Sequence, residues 1–180
     1  MDKLSSGQVR YPSHSWGAFA RNPSLDPTAY KPVEHMKRIQ HVSALMDSTD
    51  PDLSVFSARG GKLIMLENMA DYAQSPYAGI RYYQAVVNEL GQGEVRRFMR
   101  LYTAPGVDHV GSGAPANVDM LAVLSDWVER GKAPGTLEVT EQSVETTPKV
   151  IRALPLCQWP LWPKFKAGDA TLGSSFECAR

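Results

Sequence analysis

The sequence has little of several features that mark specialised classes of protein. Its 180 residues include two cysteines, Cys157 and Cys178, too few for a disulfide scaffold, so one bridge or two thiols remain open. Nineteen Lys and Arg balance nineteen Asp and Glu, so no basic excess favours nucleic acid as a partner. No apolar run approaches the roughly twenty residues of a membrane helix, and residues 1–16 lack the apolar stretch of a secretory signal. We therefore expect neither a nucleic-acid partner nor a membrane segment.

The rest of the composition is that of one globular domain. Hydrophobic residues make up 43% and aromatic residues 9%, ordinary values for a chain that buries a core. Residues 1–50 have scattered prolines and end in a polar run, which predicts an irregular segment. Within it, apolar residues at helical spacing predict a short amphipathic helix from about Val33 to Met46.

Strands and helices alternate in the middle of the chain. Lys62 to Leu66, bounded by glycine, predicts a strand buried on both faces of a parallel sheet. Ser75, before a proline, is predicted to cap a helix that ends at Gly91. Val95 to Tyr102 predicts a second strand, whose three arginines indicate an edge or a partly solvated face. Asn117 is predicted to cap a helix that ends at Gly131. The expected order is strand, helix, strand, helix, an α/β arrangement.

The C-terminal part of the chain has a different sequence pattern from the middle. Leu137 to Thr140 and Lys149 to Ala153 predict a small hairpin, and the stretch from Pro155 to Phe165 predicts an extended tail that wraps the surface. Three aromatic side chains in the tail would pack it onto the body or, alternatively, form a stacking platform for a sugar or an aromatic ligand, namely Trp159, Trp162 and Phe165. The interleaved prolines favour packing.

An acid and a histidine follow the two predicted strands. Asp71 lies in the loop after the first strand and His109 in the loop after the second, which is the chain order of the acid and base in an α/β-hydrolase triad. From spacing alone, a turn aspartate and a solvated loop histidine are the better interpretation. The sequence has no serine elbow, because Ser112, its one glycine-flanked serine, follows His109 by three residues and is interpreted as a turn residue.

A second group of carboxylates, around Asp50, is a candidate metal site. Asp47, Asp50 and Asp52 are oxygen ligands of the kind that calcium prefers, but the stretch lacks the remaining alternation and the terminal glutamate of an EF-hand loop. Solvated turn acids are the favoured interpretation, and no cofactor or metal is expected in this chain.

A set of motifs in a fixed order carries a family resemblance. The motifs are Asp52 to Phe56, Gly60 to Met65, Ala70-Asp71, Tyr82-Tyr83, Pro105 to His109, Gly111 to Gly113, Asp119 to Leu121, Asp126 to Pro134, Arg152 to Pro160, Phe176 and Cys178. With these motifs, over about two thirds of its length, the chain resembles the C-terminal part of the tannase and feruloyl esterase family.

The resemblance implies a secreted or periplasmic α/β-hydrolase that cleaves small esters of phenolic acids, with Asp71 as triad acid and His109 as triad base. It further implies that the nucleophilic serine lies upstream, in an N-terminal part of the hydrolase outside this chain, and that a lid domain carries a calcium site there. Residues 1–50 would be the end of that lid, and residues 51–180 the C-terminal part of the hydrolase domain. The resemblance thus leads us to expect a C-terminal fragment in which Met1 is a truncation point or an internal start, and which alone is inactive.

Three details qualify this resemblance. The family often has a cysteine after the histidine, where this chain has Val110, and its usual His-Gly-Trp-Ala-Asp is here Glu67 to Asp71. Because the family is secreted, an oxidising compartment is implied, and a bridge between Cys157 and Cys178 is expected to tether the tail. The alternative to an ester hydrolase is a non-catalytic remnant or binding module that kept the fold and lost the chemistry.

Overall fold

A computed structural model of the chain describes residues 30–180. The chain divides into two units, the first ending at Thr49 and the second beginning at Asp50. In the first, a 3₁₀ turn at Pro32–His35 leads into helix α1, Met36–Met46, so the predicted helix is confirmed. The second unit contains the remaining elements in this order: α2 Ser54–Ala58, β1 Leu63–Asn68, α3 Tyr77–Leu90, α4 Gln92–Phe98, β2 Met99–Ala104, α5 Met120–Arg130, β3 Leu137–Gln142, β4 Val150–Leu156, β5 Trp162–Phe165, a 3₁₀ turn at Gly173–Ser175, and β6 Phe176–Ala179.

The centre of the second unit is a parallel strand pair. β1 and β2 pair from Leu63 with Met99 to Asn68 with Ala104, and α3 and α4 connect them. The α/β class predicted from the sequence is therefore present. The expectation that β1 is buried on both faces is wrong, since none of its residues is fully buried and Leu66 is 38% exposed. Within residues 30–180, β1 pairs with β2 alone, so its other edge is open.

The second strand begins later than predicted. Residues 95–98 belong to helix α4, and the strand occupies only Met99–Ala104. Val95 and Phe98 are fully buried while Arg96 and Arg97 are exposed, which is the three-residue spacing of an amphipathic helix rather than the alternation of a strand. The arginines therefore do not mark a sheet edge, and β2 is almost entirely buried.

The helix caps also differ from the prediction at their first residues. α3 has Pro76 at its N-cap and no side-chain cap, so Ser75 contributes only its carbonyl, which accepts from the N–H of Ala78 at 3.0 Å. α5 is capped by Asp119, whose carboxylate accepts from the N–H of Ala122 at 2.8 Å. Asn117 instead pairs with Thr140 of β3 in an isolated bridge.

The core of this unit has two clusters of buried side chains. The first packs α3 and α4 against the start of β2, and the second packs the end of β2 against β3 and β4. The predicted hairpin is confirmed, because β3 and β4 pair antiparallel from Leu137 with Leu156 onward. No helix in the described part of the chain is long and apolar enough to cross a membrane.

The tail has more regular structure than expected. β5 and β6 form a second antiparallel pair, and a disulfide joins Cys157 to Cys178 with the α-carbons 5.6 Å apart. The packing interpretation holds for Trp159, which contacts the first core cluster. It does not hold for Trp162, which is 60% exposed.

Candidate active site

The fold brings Asp71 and His109 together. Each lies in the loop that follows one of the parallel strands, Asp71 after β1 and His109 after β2, and the carboxyl ends of parallel strands meet at the same edge of the sheet. Nδ1 of His109 lies 2.9 Å from Oδ2 and 3.1 Å from Oδ1 of Asp71. The two side chains are thus in hydrogen-bond contact although 38 residues separate them in sequence.

Asp71 is held as a carboxylate by several donors. Its Oδ1 also accepts the backbone N–H groups of Ala73, at 2.8 Å, and Gln74, at 2.9 Å, and its side chain is only 15% exposed. The hydrogen bond with His109, followed by the one from Gln74, holds the pKa of Asp71 below its ordinary value of 3.8. Burial and, to a smaller extent, the charge of Asp71 raise the pKa of Glu67 nearby.

The ionised Asp71 carboxylate determines which ring nitrogen of His109 carries the proton. An ionised carboxylate only accepts hydrogen bonds, so Nδ1 of His109 must carry a proton and donate it to Asp71. In the neutral imidazole, Nε2 is left with its lone pair, and the side chain is 48% exposed. This arrangement orients a basic nitrogen away from Asp71, where it can accept a proton from a nucleophile.

Backbone and side-chain hydrogen bonds tie the two loops to each other. The N–H of Met69 donates to the carbonyl of Ala104 at 3.0 Å, and that of Ala70 to the carbonyl of Val107 at 2.9 Å. Nδ2 of Asn68 donates to the carbonyl of Asp108, next to His109, at 2.9 Å. Asn68 was not recognised from the sequence, because one asparagine at a strand end gives no signal of a partner forty residues away.

The His109 loop is also organised internally. Oδ1 of Asp108 accepts the N–H groups of Val110, at 3.0 Å, and Ser112, at 2.7 Å, so Ser112 is part of the turn that positions the histidine. Gly113 has φ +94°, and a Cβ at that position would lie 2.7 Å from the carbonyl oxygen of Gly106. Only glycine fits there without moving the loop.

We expect the Asp71 carboxylate to stabilise the fold in a pH-dependent way. Because its folded pKa is below 3.8, the contribution is complete above 3.8 and is lost as the pH falls through the lower, folded value. The urea midpoint of the wild-type chain should therefore exceed that of Asp71→Asn at about pH 6, and the gap should close in strong acid. A gap that stays constant from neutral to acidic pH would contradict the assigned bonds.

The turn acids have local roles in the structure. Oδ1 of Asp50 accepts the N–H of Asp52, and Oδ1 of Asp52 accepts the N–H of Ser54, each at 3.0 Å, so both carboxylates close turns. No group of three or more His, Cys, Asp or Glu side chains suited to a metal occurs among residues 30–180. At the carboxyl ends of β1 and β2, the carboxylates with hydrogen-bond donors are those of Asp71 and Asp108.

Comparison with known proteins gives the class and then the family. The fold is similar to part of an esterase from Aspergillus oryzae, whose crystal structure matches with a TM-score of 0.84 at 22% identity, over 96% of this chain and 38% of that one. A family model described as tannase and feruloyl esterase matches residues 9–179. The chain belongs to the tannase and feruloyl esterase family, as the motifs had indicated.

Two curated relatives show how much of the family's length is present. An uncharacterized esterase of Agrobacterium fabrum is 36% identical over 150 residues, which are 83% of this chain and 27% of that protein. A probable feruloyl esterase of Arthroderma benhamiae is 37% identical over 153 residues, which are 83% of this chain and 28% of that protein. The chain thus spans little more than a quarter of the length of these relatives.

Proposed function

We propose that this chain supplies the acid and the base of a carboxylic ester hydrolase that acts on small phenolic esters. In this proposal His109 takes the proton from a serine hydroxyl through Nε2 and returns it to the leaving alcohol, while Asp71 fixes the tautomer and stabilises the imidazolium. The observation that carries it is the 2.9 Å contact between His109 Nδ1 and Asp71 Oδ2 at the carboxyl ends of adjacent parallel strands. Family membership supplies the ester as substrate class.

The proposal also has parts that concern sequence outside these 180 residues, and the greater length of the relatives supports them. The chain would be the C-terminal part of an α/β-hydrolase sheet, and the nucleophilic serine would come from sequence that these residues do not include. Residues 1–50 would belong to the end of a lid. The Cys157–Cys178 bridge supports a secreted or periplasmic location, because such bonds persist in oxidising compartments.

The tautomer of His109 tests the proposed pair directly. ¹⁵N chemical shifts of the imidazole at a pH where it is neutral should show the proton on Nδ1, because the Asp71 carboxylate accepts it. Asp71→Asn should move part of the population to the Nε2 protonated form, since an amide can also donate. His41, in the other unit, is the internal control, and an Nε2 protonated His109 in the wild type would refute the pairing.

We expect the 180-residue chain by itself to hydrolyse no methyl ferulate above the buffer rate. A base and its orienting acid have no effect without a nucleophile to activate, and no serine of the sequence lies in a Gly-x-Ser-x-Gly elbow. Spectrophotometric release of ferulate measures this. Turnover that disappears in His109→Ala would show that the chain contains a nucleophile after all.

A further inference from the structure

A cavity lies at the opposite end of the parallel strands from Asp71 and His109. Its volume is about 530 Å³, within the range of small-molecule sites, and its lining includes Met99, Arg100 and Leu101 at the start of β2. Because strands rise about 3.3 Å per residue, roughly 10 Å of strand lies between Leu101 and the end of β2, where the His109 loop begins. It is therefore a feature that the proposed ester chemistry does not use.

The charged side chains around this cavity are all positive. Arg96, Arg100 and Arg180 line it, and no aspartate or glutamate side chain does, so the one negative group among the lining residues is the α-carboxylate of Arg180. On the same helix α4, Arg97 has a carboxylate partner, Glu94, at 3.6 Å, whereas the guanidinium of Arg96 has none among residues 30–180. In a chain of zero formal net charge, the lining therefore has a local excess of positive charge.

Arg100 is fixed in place on one side of the cavity. Its Nε donates to the carbonyl of Pro134 at 3.3 Å, and its Nη1 donates to the carbonyls of Arg96, at 2.5 Å, and Met99, at 2.9 Å. The guanidinium also lies 4.7 Å from the ring centroid of Trp127. These contacts use Nε and Nη1, and Nη2 has no partner in the described part of the chain. Burial lowers the pKa of Arg100, and the charge of Arg96 acts in the same direction.

The remaining wall combines aromatic and aliphatic side chains with three glutamines, Gln84, Gln92 and Gln158. Its apolar part includes Tyr83, Trp159 and Leu161. Tyr83 is held by its hydroxyl, which accepts from Nε2 of Gln92 at 3.3 Å, and Trp159 by its backbone N–H, which donates to the carbonyl of Leu101 at 2.8 Å. The cavity thus offers two aromatic side chains beside guanidinium groups, in a lining that is polar elsewhere.

We propose that this cavity binds a small aromatic carboxylate. A carboxylate would bridge Arg96 and Nη2 of Arg100, because guanidinium groups bind carboxylates through paired hydrogen bonds and an anion between them offsets their mutual repulsion. The ring would pack against Trp159 and Tyr83, whose faces favour an aromatic neighbour. The inference rests on the cavity alone and stands whether or not His109 acts on esters.

Titration of the oxidised 180-residue chain with sodium benzoate, followed by amide and indole NMR shifts, tests the site. Benzoate should shift the Trp159 indole resonance in a saturable way, and Arg96→Ala should weaken binding about tenfold, the loss of one charged hydrogen bond. The matched control, Arg97→Ala, changes the neighbouring arginine that pairs with Glu94 and should leave the affinity within about twofold.

Two further probes separate the contributions of charge and ring. Benzamide has the ring without the charge and should bind at least about tenfold more weakly than benzoate. Inorganic phosphate has the charge without the ring and should also be weaker, and should leave the Trp159 indole unshifted. No saturable benzoate shift, equal effects of the Arg96 and Arg97 variants, or phosphate binding as tight as benzoate would each overturn the proposal.

Discussion

Asp71→Asn should reduce hydrolysis of methyl ferulate by about 10⁴-fold in a complete enzyme, and His109→Ala by about 10⁶-fold, the losses seen when a triad loses its orienting acid or its base. A complete enzyme can be made by replacing the matching segment of the Arthroderma benhamiae relative with this chain, since the two are 37% identical over 153 residues. The loss should fall on kcat, because neither side chain is proposed to bind the substrate. Steady-state kinetics of the chimera and its variants measure it.

Matched substitutions show whether the effect belongs to the site. Asp169→Asn makes the same chemical change at an aspartate whose pKa is also lowered, in this case by hydrogen bonds from Thr171 in its own turn. It should leave kcat unchanged, as should His41→Ala. A chimera that folds but hydrolyses no ester would favour the non-catalytic alternative, and an active chimera indifferent to Asp71→Asn would remove the proposed role of the acid.

Loss of the Cys157–Cys178 bridge should lower the free energy of unfolding by about 3 kcal/mol. The bridge spans 21 residues, and closing a loop of that size restricts the unfolded chain by this amount on the chain-entropy model. It joins the end of β4 to β6, so without it the β5–β6 pair is held to the body by fewer constraints. Urea unfolding of the chain with both cysteines changed to alanine measures the loss.

Substitution of Cys157 changes packing as well as the disulfide, so the effect of the bridge needs a second measurement. This side chain is fully buried, so alanine also removes packing around the sulfur. Unfolding of the wild-type chain under reducing conditions separates the two effects, because reduction opens the bridge and keeps both sulfur atoms. Equal urea midpoints for the oxidised and reduced wild type would show that the bridge adds nothing to stability.

Local sequence patterns predict the helices and strands whose ends or apolar residues follow simple local rules. Helix α3 ends at Leu90, directly before the Gly91 that the sequence predicts as its end, and the β3–β4 hairpin forms where two extended runs flank a polar turn. Residues 95–98 were assigned to the wrong element because Val95, Phe98 and Met99 are all apolar, so a helix that runs directly into a strand looks like one longer strand. Such a junction is decided by packing rather than by composition.

The sequence likewise predicts some residues of the candidate site and not others. Asp71 and His109 were found because each follows a strand and together they match a family pattern. Asn68 and Asp108, which connect and shape the two loops, were not found, since their bonds reach backbone atoms that no sequence pattern identifies. The cap of α5 was likewise placed at Asn117, because asparagine and aspartate are equally good caps and only the bridge to Thr140 shows which one is free for that role.

The open edge of β1 has a practical consequence for solution work. One row of its backbone N–H and C=O groups is unpaired within residues 30–180, beside side chains such as Leu66 that are apolar and partly exposed. An edge of this kind accepts any extended strand that reaches it, including the same edge of a second molecule. We therefore expect the purified chain to self-associate as its concentration rises.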